Sequence, residues 1–257
     1  MRVVILRYLF ACMAIAMLAP IMARAQTALG SDCSKLTQLD GQQQTITLTE
    51  AAKAGQWIIV SVVVNNTYAQ FDATNPVTDS AGNSYAVFGT VALSGRSGAL
   101  ATFAGRATNL LPASASIFIN YGTTGSSSAQ SCATASAFPG VLALSDPSDV
   151  AGAKSGTGPS LGVTSSSPTQ YANELVYSAF ASTSTPGNVV AIPPAQGLNL
   201  ACSSDNTLCL LPAWNLGETM AGIFESADAQ GDNAATPWGA LLITFQNDDR
   251  IFADGFE

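Results

Sequence analysis

The sequence predicts an all-β fold, an antiparallel β-sandwich of jelly-roll or Ig-like type with roughly ten strands and little or no helix. Three observations lead there. Short runs rich in Val, Ile, Phe and Thr recur along the chain, clusters of Gly, Pro, Ser and Asn separate them, and no window keeps a 3.6-residue period over three turns. With 47% hydrophobic and 10% charged residues the chain is apolar enough to bury a core, and 22 Gly and 12 Pro provide its turns.

The first element is read as a secretory signal peptide over residues 1–25. Arg2 and Arg7 precede an apolar run, residues 8–22, and Ala23-Arg24-Ala25 gives the small-x-small cleavage pattern before Gln26. The run is shorter than the roughly 20 residues that span a bilayer, and no later stretch is long enough, so no membrane span is expected in the mature chain. Strands are expected next at Thr45-Ile46-Thr47-Leu48, at the β-branched run Trp57-Ile58-Ile59-Val60-Ser61-Val62-Val63-Val64, and at Ser84-Tyr85-Ala86-Val87-Phe88. Further strands are placed at residues 98–107, 114–121, 132–145, 174–181, 218–226 and 238–246. Residues 122–128 and 152–167, rich in Gly, Ser and Thr, are read as surface loops. No internal repeat of fixed period is apparent. Residues 26–247 are accordingly taken as a single β-sandwich domain and residues 248–257 as a C-terminal tail.

Composition excludes several chemistries. The chain has no histidine, which removes Ser-His-Asp and Cys-His catalysis and His-ligated metals. Loss of Arg2, Arg7 and Arg24 with the leader leaves six basic against 17 acidic residues, a formal charge of −11, unsuited to a nucleic-acid partner. After the leader the chain keeps Cys33, Cys132, Cys202 and Cys209, an even number suited to an oxidising compartment. Three pairings are possible; the shortest closure joins Cys202 to Cys209 and leaves Cys33 for Cys132.

The candidate sites are few. Asp228-Ala229-Gln230-Gly231-Asp232-Asn233 places Asp228, Asp232 and Asn233 around a glycine, a hard-oxygen set for calcium; no other cofactor is expected. Asp79-Ser80-Ala81-Gly82-Asn83 is read as an Asp-capped turn in preference to a calcium loop. Gly158-Pro159-Ser160-Leu161-Gly162 matches the G-x-S-x-G elbow, but no histidine exists to serve its serine. Acid pairs, Asp146 with Asp149 or Glu218 with Glu225, allow one enzymatic chemistry, glycoside hydrolysis by two carboxylates. Trp57 and Trp238 are expected in the core, each against the other's sheet. Trp214, after the cysteine loop and outside an obvious strand, is the candidate exposed ligand contact.

Val77-Thr78-Asp79-Ser80-Ala81-Gly82-Asn83-Ser84-Tyr85 resembles the V-x-D-S-x-G-N-x-Y hairpin of a family of β-sandwich modules in secreted bacterial and phage-associated proteins. In that family's order come Ala54-Gly55-Gln56-Trp57, Tyr171-Ala172-Asn173-Glu174-Leu175 and Pro237-Trp238-Gly239-Ala240. The resemblance covers about residues 45–247 and implies a sandwich with no established activity; residues 188–211, with their cysteine pair, depart from the pattern. The ending Ile251-Phe252-Ala253-Asp254-Gly255-Phe256-Glu257 resembles a C-terminal tag of exported Gram-negative proteins, which implies recognition by export or surface-sorting machinery. Taken together, the expectation is an exported, non-catalytic protein for surface attachment, adhesion or ligand binding, with a cell-surface glycan or protein as partner. The alternatives are a carbohydrate-binding module and, behind it, a polysaccharide hydrolase using paired carboxylates.

Overall fold

The structure, a computed structural model, describes residues 26–37, 41–65, 71–96, 98–122, 128–183, 189–231 and 236–247. The expected leader, the C-terminal tail, and Asp232 and Asn233 lie outside the described residues. Among these residues there are seventeen strands, more than the ten predicted, and no α-helix. Among the described residues no helix is long and apolar enough to cross a membrane.

The first eight strands are β1 (Thr27–Leu36), β2 (Gln43–Thr47), β3 (Trp57–Val64), β4 (Val77–Asp79), β5 (Ala86–Ala92), β6 (Ala99–Arg106), β7 (Ser116–Asn120) and β8 (Ala129–Phe138). They form a five-stranded sheet, β1-β8-β3-β6-β5, and a three-stranded sheet, β2-β7-β4. The others are β9 (Ser148–Thr157), β10 (Ser160–Thr164), β11 (Leu175–Ser182), β12 (Val189–Ala191), β13 (Gln196–Gly197), β14 (Ala201–Cys202), β15 (Cys209–Leu216), β16 (Ser226–Gly231) and β17 (Pro237–Phe245). These form a six-stranded sheet, β13-β15-β11-β17-β9 with β14 beside β15, and a three-stranded sheet, β10-β16-β12. All ladders described are antiparallel.

Three cores stack the four sheets into layers. Successive side chains of a strand point to opposite faces, so a strand covered on both sides reads as an unbroken apolar run. In β3 all eight residues are buried: Ile58, Val60, Val62 and Val64 face β2 and β7, while Trp57, Ile59 and Val63 face the second large sheet. Ser61 is the polar exception and is matched across the interface by the Tyr177 hydroxyl at 2.7 Å and within its own sheet by Thr102 of β6 at 2.9 Å. In β11 the same alternation sends Leu175, Tyr177, Ala179 and Ala181 into the central core and Val176 and Phe180 into the third, against β10 and β16.

The two halves share one topology. Substituting β9, β10, β11, β12, β13, β15, β16 and β17 for β1 to β8 in turn converts the first pair of sheets into the second. In each half the first strand pairs with the last, the second with the next to last and the third with the third from last, apart from the added β14. That is the order of a rolled two-stranded ribbon, the jelly roll rather than the Ig sandwich, with β5 and β13 on the edge of the larger sheet. The correspondence extends to single residues. A Cβ on Gly30 would collide with the carbonyl oxygen of Thr47, and one on Gly152 with that of Thr164. Gly55 and Asn173, each two residues before a central strand, both adopt positive φ, 91° and 53°. Backbone bonds Leu48 N to Ala115 O and Ala107 N to Gln56 O, 2.9 and 2.8 Å, recur as Ser165 N to Glu225 O and Gly217 N to Glu174 O, 2.8 and 2.7 Å.

Several expectations are corrected. The segment 152–167 is not a loop: β9 and β10 run through it, paired along their length with β17 and β16, although most of β9 there is exposed. The strand expected at 218–226 is a loop, followed by β16. The long strand at 132–145 ends at Phe138. Trp214 lies inside β15; Pro212 disguises that strand in the sequence, yet its carbonyl still accepts from Leu198 N at 2.8 Å. Trp57 and Trp238 are both buried, but Trp238 belongs to the third core, facing away from the sheet of Trp57.

Candidate functional site

Of the polar clusters buried among the described residues, two differ most in how completely they are partnered. The first is built by the Val77–Tyr85 corner. Asp79 ends β4, and its Oδ1 accepts from the backbone N–H of Ala81 and Asn83 at 2.9 and 3.0 Å, confirming the capped turn. Its Oδ2 accepts from Asn83 Nδ2 at 2.9 Å and from the Tyr85 hydroxyl at 2.7 Å. Asn83 Oδ1 in turn accepts from the backbone N–H of Thr108 and Asn109. Burial, and then the Asp79 carboxylate, push the Tyr85 phenol far above its ordinary range, so it serves as a fixed donor.

The second cluster sits at one end of the third core. Glu174 precedes β11 and is only 1% exposed; neither of its carboxylate oxygens makes a hydrogen bond of good geometry, although the Thr244 hydroxyl and the Asp149 carboxyl lie close enough to act on it. Val176, on the same face one pleat along, is flanked by Asn215 of β15 and Thr244 of β17. Asp149 of β9 accepts from Gln170 N through Oδ2, while its Oδ1 is buried and unpartnered. Loops 165–174 and 217–225 close over the group. Glu225 comes from the second of them, 6% exposed, with Oε1 accepting from Glu218 N at 2.8 Å. Burial raises the Glu174 carboxyl to about 7; the Thr244 hydroxyl opposes the shift, and the negative charges of Asp149 and Glu225 add to it. Thr169 Oγ1 and Asn215 Oδ1 are also buried without partners. Five of the seven such atoms among the described residues therefore belong to these neighbouring strand ends and to the 165–174 loop that closes over them.

The acids that meet are thus not the sequence pairs. Asp146 caps its own turn, its Oδ1 accepting from Ser148 N at 3.0 Å, and Glu218 meets Glu225 through its backbone. Glu174 was missed because it stands alone in Ala172-Asn173-Glu174-Leu175; an acid entering a wholly apolar strand was the available signal. Asp228 is exposed on β16 against Gly162. Ser160 opens β10 and is exposed, with a strand rather than a helix after it. Trp214 is half-buried against the central core, opposite Tyr177 and Gln196. Both disulfides are formed, Cys33–Cys132 between β1 and β8 and Cys202–Cys209 between β14 and β15, as an oxidising compartment requires.

Above the acids the two closing loops are tied by Thr169 N to Ile223 O and Gly222 N to Thr169 O, 2.9 and 2.7 Å. They carry outward-facing Tyr171, Met220 and Phe224, 47%, 66% and 56% exposed, beside exposed Leu216 at the end of β15. A separate cavity of about 260 Å³ opens between β5 and β9, lined by Gly89, Thr90, Gly152, Ser166 and Leu241 among others, with no titratable side chain. Compared with protein-family models, curated proteins and solved structures, the chain matches none of them.

Proposed function

We propose that this is an exported, non-catalytic β-sandwich protein that attaches to a cell-surface ligand through the tip formed by loops 165–174 and 217–225. The observation that carries the reading is the exposure of Tyr171, Met220 and Phe224 on two loops tied together by backbone bonds, with Leu216 exposed at the strand end that leads into one of them. Isolated apolar side chains are ordinary on a surface, but several on adjoining loops mark a contact site. The disulfides support export. The burial of Glu174 and Glu225 supports attachment over hydrolysis, since a polysaccharide needs acids it can reach. A second reading, carbohydrate binding, is favoured by the exposed rings of Tyr171 and Phe224, which can stack on sugar faces.

Binding of the exported protein to whole cells and to a glycan array tests both. Met220→Ser with Phe224→Ser is expected to weaken binding at least about tenfold, as loss of central apolar contacts does, with an unchanged melting temperature. Unchanged binding would refute the tip as the contact. Retained array signal lost in Tyr171→Ala would select the glycan reading, and sugar release abolished by Glu174→Gln would replace attachment with hydrolysis.

A further inference from the structure

We propose that Asp149, Glu174, Thr169 and Asn215, with the Glu225 carboxylate beside them, form a binding site for one calcium ion beneath the closing loops. The proposal is independent of what the tip contacts. Its first support is the set of buried oxygens without partners: Asp149 Oδ1, both oxygens of Glu174, Thr169 Oγ1 and Asn215 Oδ1. Buried acceptors left unmatched cost about 1–3 kcal/mol each and more when charged, so a group of five calls for a positive partner. No lysine or arginine is among the groups that act on Glu174.

The second support comes from the other half of the molecule. There the equivalent positions hold Leu48, Ala52, Gly105, Ala115 and Ala137 where this half has Ser165, Thr169, Asn215, Glu225 and Thr244. Leu48, Ala52, Ala115 and Ala137 are packed in the first core. The topology therefore closes equally well over an apolar filling, and the polar one is not imposed by the fold. Gln56, the counterpart of Glu174, has its Oε1 matched by Lys53 N at 2.7 Å.

The donor set selects the ion. Among the described residues no three acidic, histidine or cysteine side chains alone frame a metal, so the cradle is mixed: two carboxylates, an amide and a hydroxyl. Calcium takes six to eight such oxygens in flexible geometry, with water completing the shell, whereas magnesium demands a regular octahedron.

Calorimetry and thermal melting of the exported protein with calcium chloride, magnesium chloride or chelator provide the test. The expected result is one calcium per chain with a Kd of roughly 10⁻⁴–10⁻³ M, a raised melting temperature, and weaker magnesium binding. Glu174→Gln should weaken calcium at least about tenfold, because ligand charge sets affinity, and Asp228→Asn should leave it unchanged. Wild-type protein giving neither heat nor a melting shift at about 10 mM calcium would overturn the proposal whatever the variants do. Binding that survives Glu174→Gln, or is lost in Asp228→Asn, would overturn it as well.

Discussion

The two halves of this molecule close the same end of the same ribbon with opposite chemistry. In the first, Leu48, Ala52, Ala115 and Ala137 complete an apolar core, and the nearby acid, Asp79, has every oxygen matched by donors. In the second, the equivalent places bring hydroxyls and acids inside, and Glu174 has none of its oxygens matched. Strand order and glycine placement fix the path of the backbone in both. What fills the end is free to vary, so an unmatched polar filling there is informative in a way that a matched network is not.

The comparison can be broken at several points. The largest effect is expected from the disulfides. In the chain-entropy account, opening Cys33–Cys132 by Ala substitution costs about 4.7 kcal/mol and opening Cys202–Cys209 about 2.5 kcal/mol, because the first closes a far longer loop. Chemical denaturation of the two double variants checks the order; equal losses would contradict it. The acids come next, with opposite signs. Asp79→Ala strands two backbone N–H groups, the Asn83 amide and the Tyr85 hydroxyl, and should cost about 2–3 kcal/mol. Glu174→Gln, in chelator at pH 8, should stabilise by about 1–2 kcal/mol, since the amide avoids burying a charge. Loss of stability in both would mean that Glu174 has a matched structural role.

The smallest effect is the pH dependence of the metal-free protein. The folded Glu174 carboxyl is raised from 4.5 to about 7, so its folded form binds a proton that the unfolded chain has released. The stability tied to it is complete below pH 4.5 and is lost as pH rises toward 7. The groups facing it, Asp149 and Glu225, are both acidic and act in the same direction. Melting curves in chelator should therefore fall across that window and flatten in Glu174→Gln.

How much of this could be read from the residues differs by element. Central strands such as β3 and β11 were legible because burial on both faces demands a continuous apolar run. β9 and β10 were not, because β9 is largely exposed beyond Val150 and both strands are held by backbone ladders to β17 and β16, strands distant in sequence, rather than by apolar runs of their own. The duplication was invisible for a related reason: it resides in backbone bonds and in pairs such as Gly30 and Gly152, or Phe138 and Phe245. The spacing of these pairs changes from one element to the next, so no period forms. Of the site, the sequence marks Asp149 and Glu225, each beside an acid that the fold does not bring to Glu174. Only the crossing of β9, β11 and the 217–225 loop joins them to Glu174, and local sequence holds no trace of that crossing.

A crystal grown in calcium, examined by anomalous diffraction, tests the contrast between the halves most directly. The account requires one ion in the second half, about 2.3–2.6 Å from oxygens of Asp149 and Glu174, and none at the apolar end of the first. A map with no ion there, and the Glu174 carboxyl instead sharing a proton with Asp149, would contradict it.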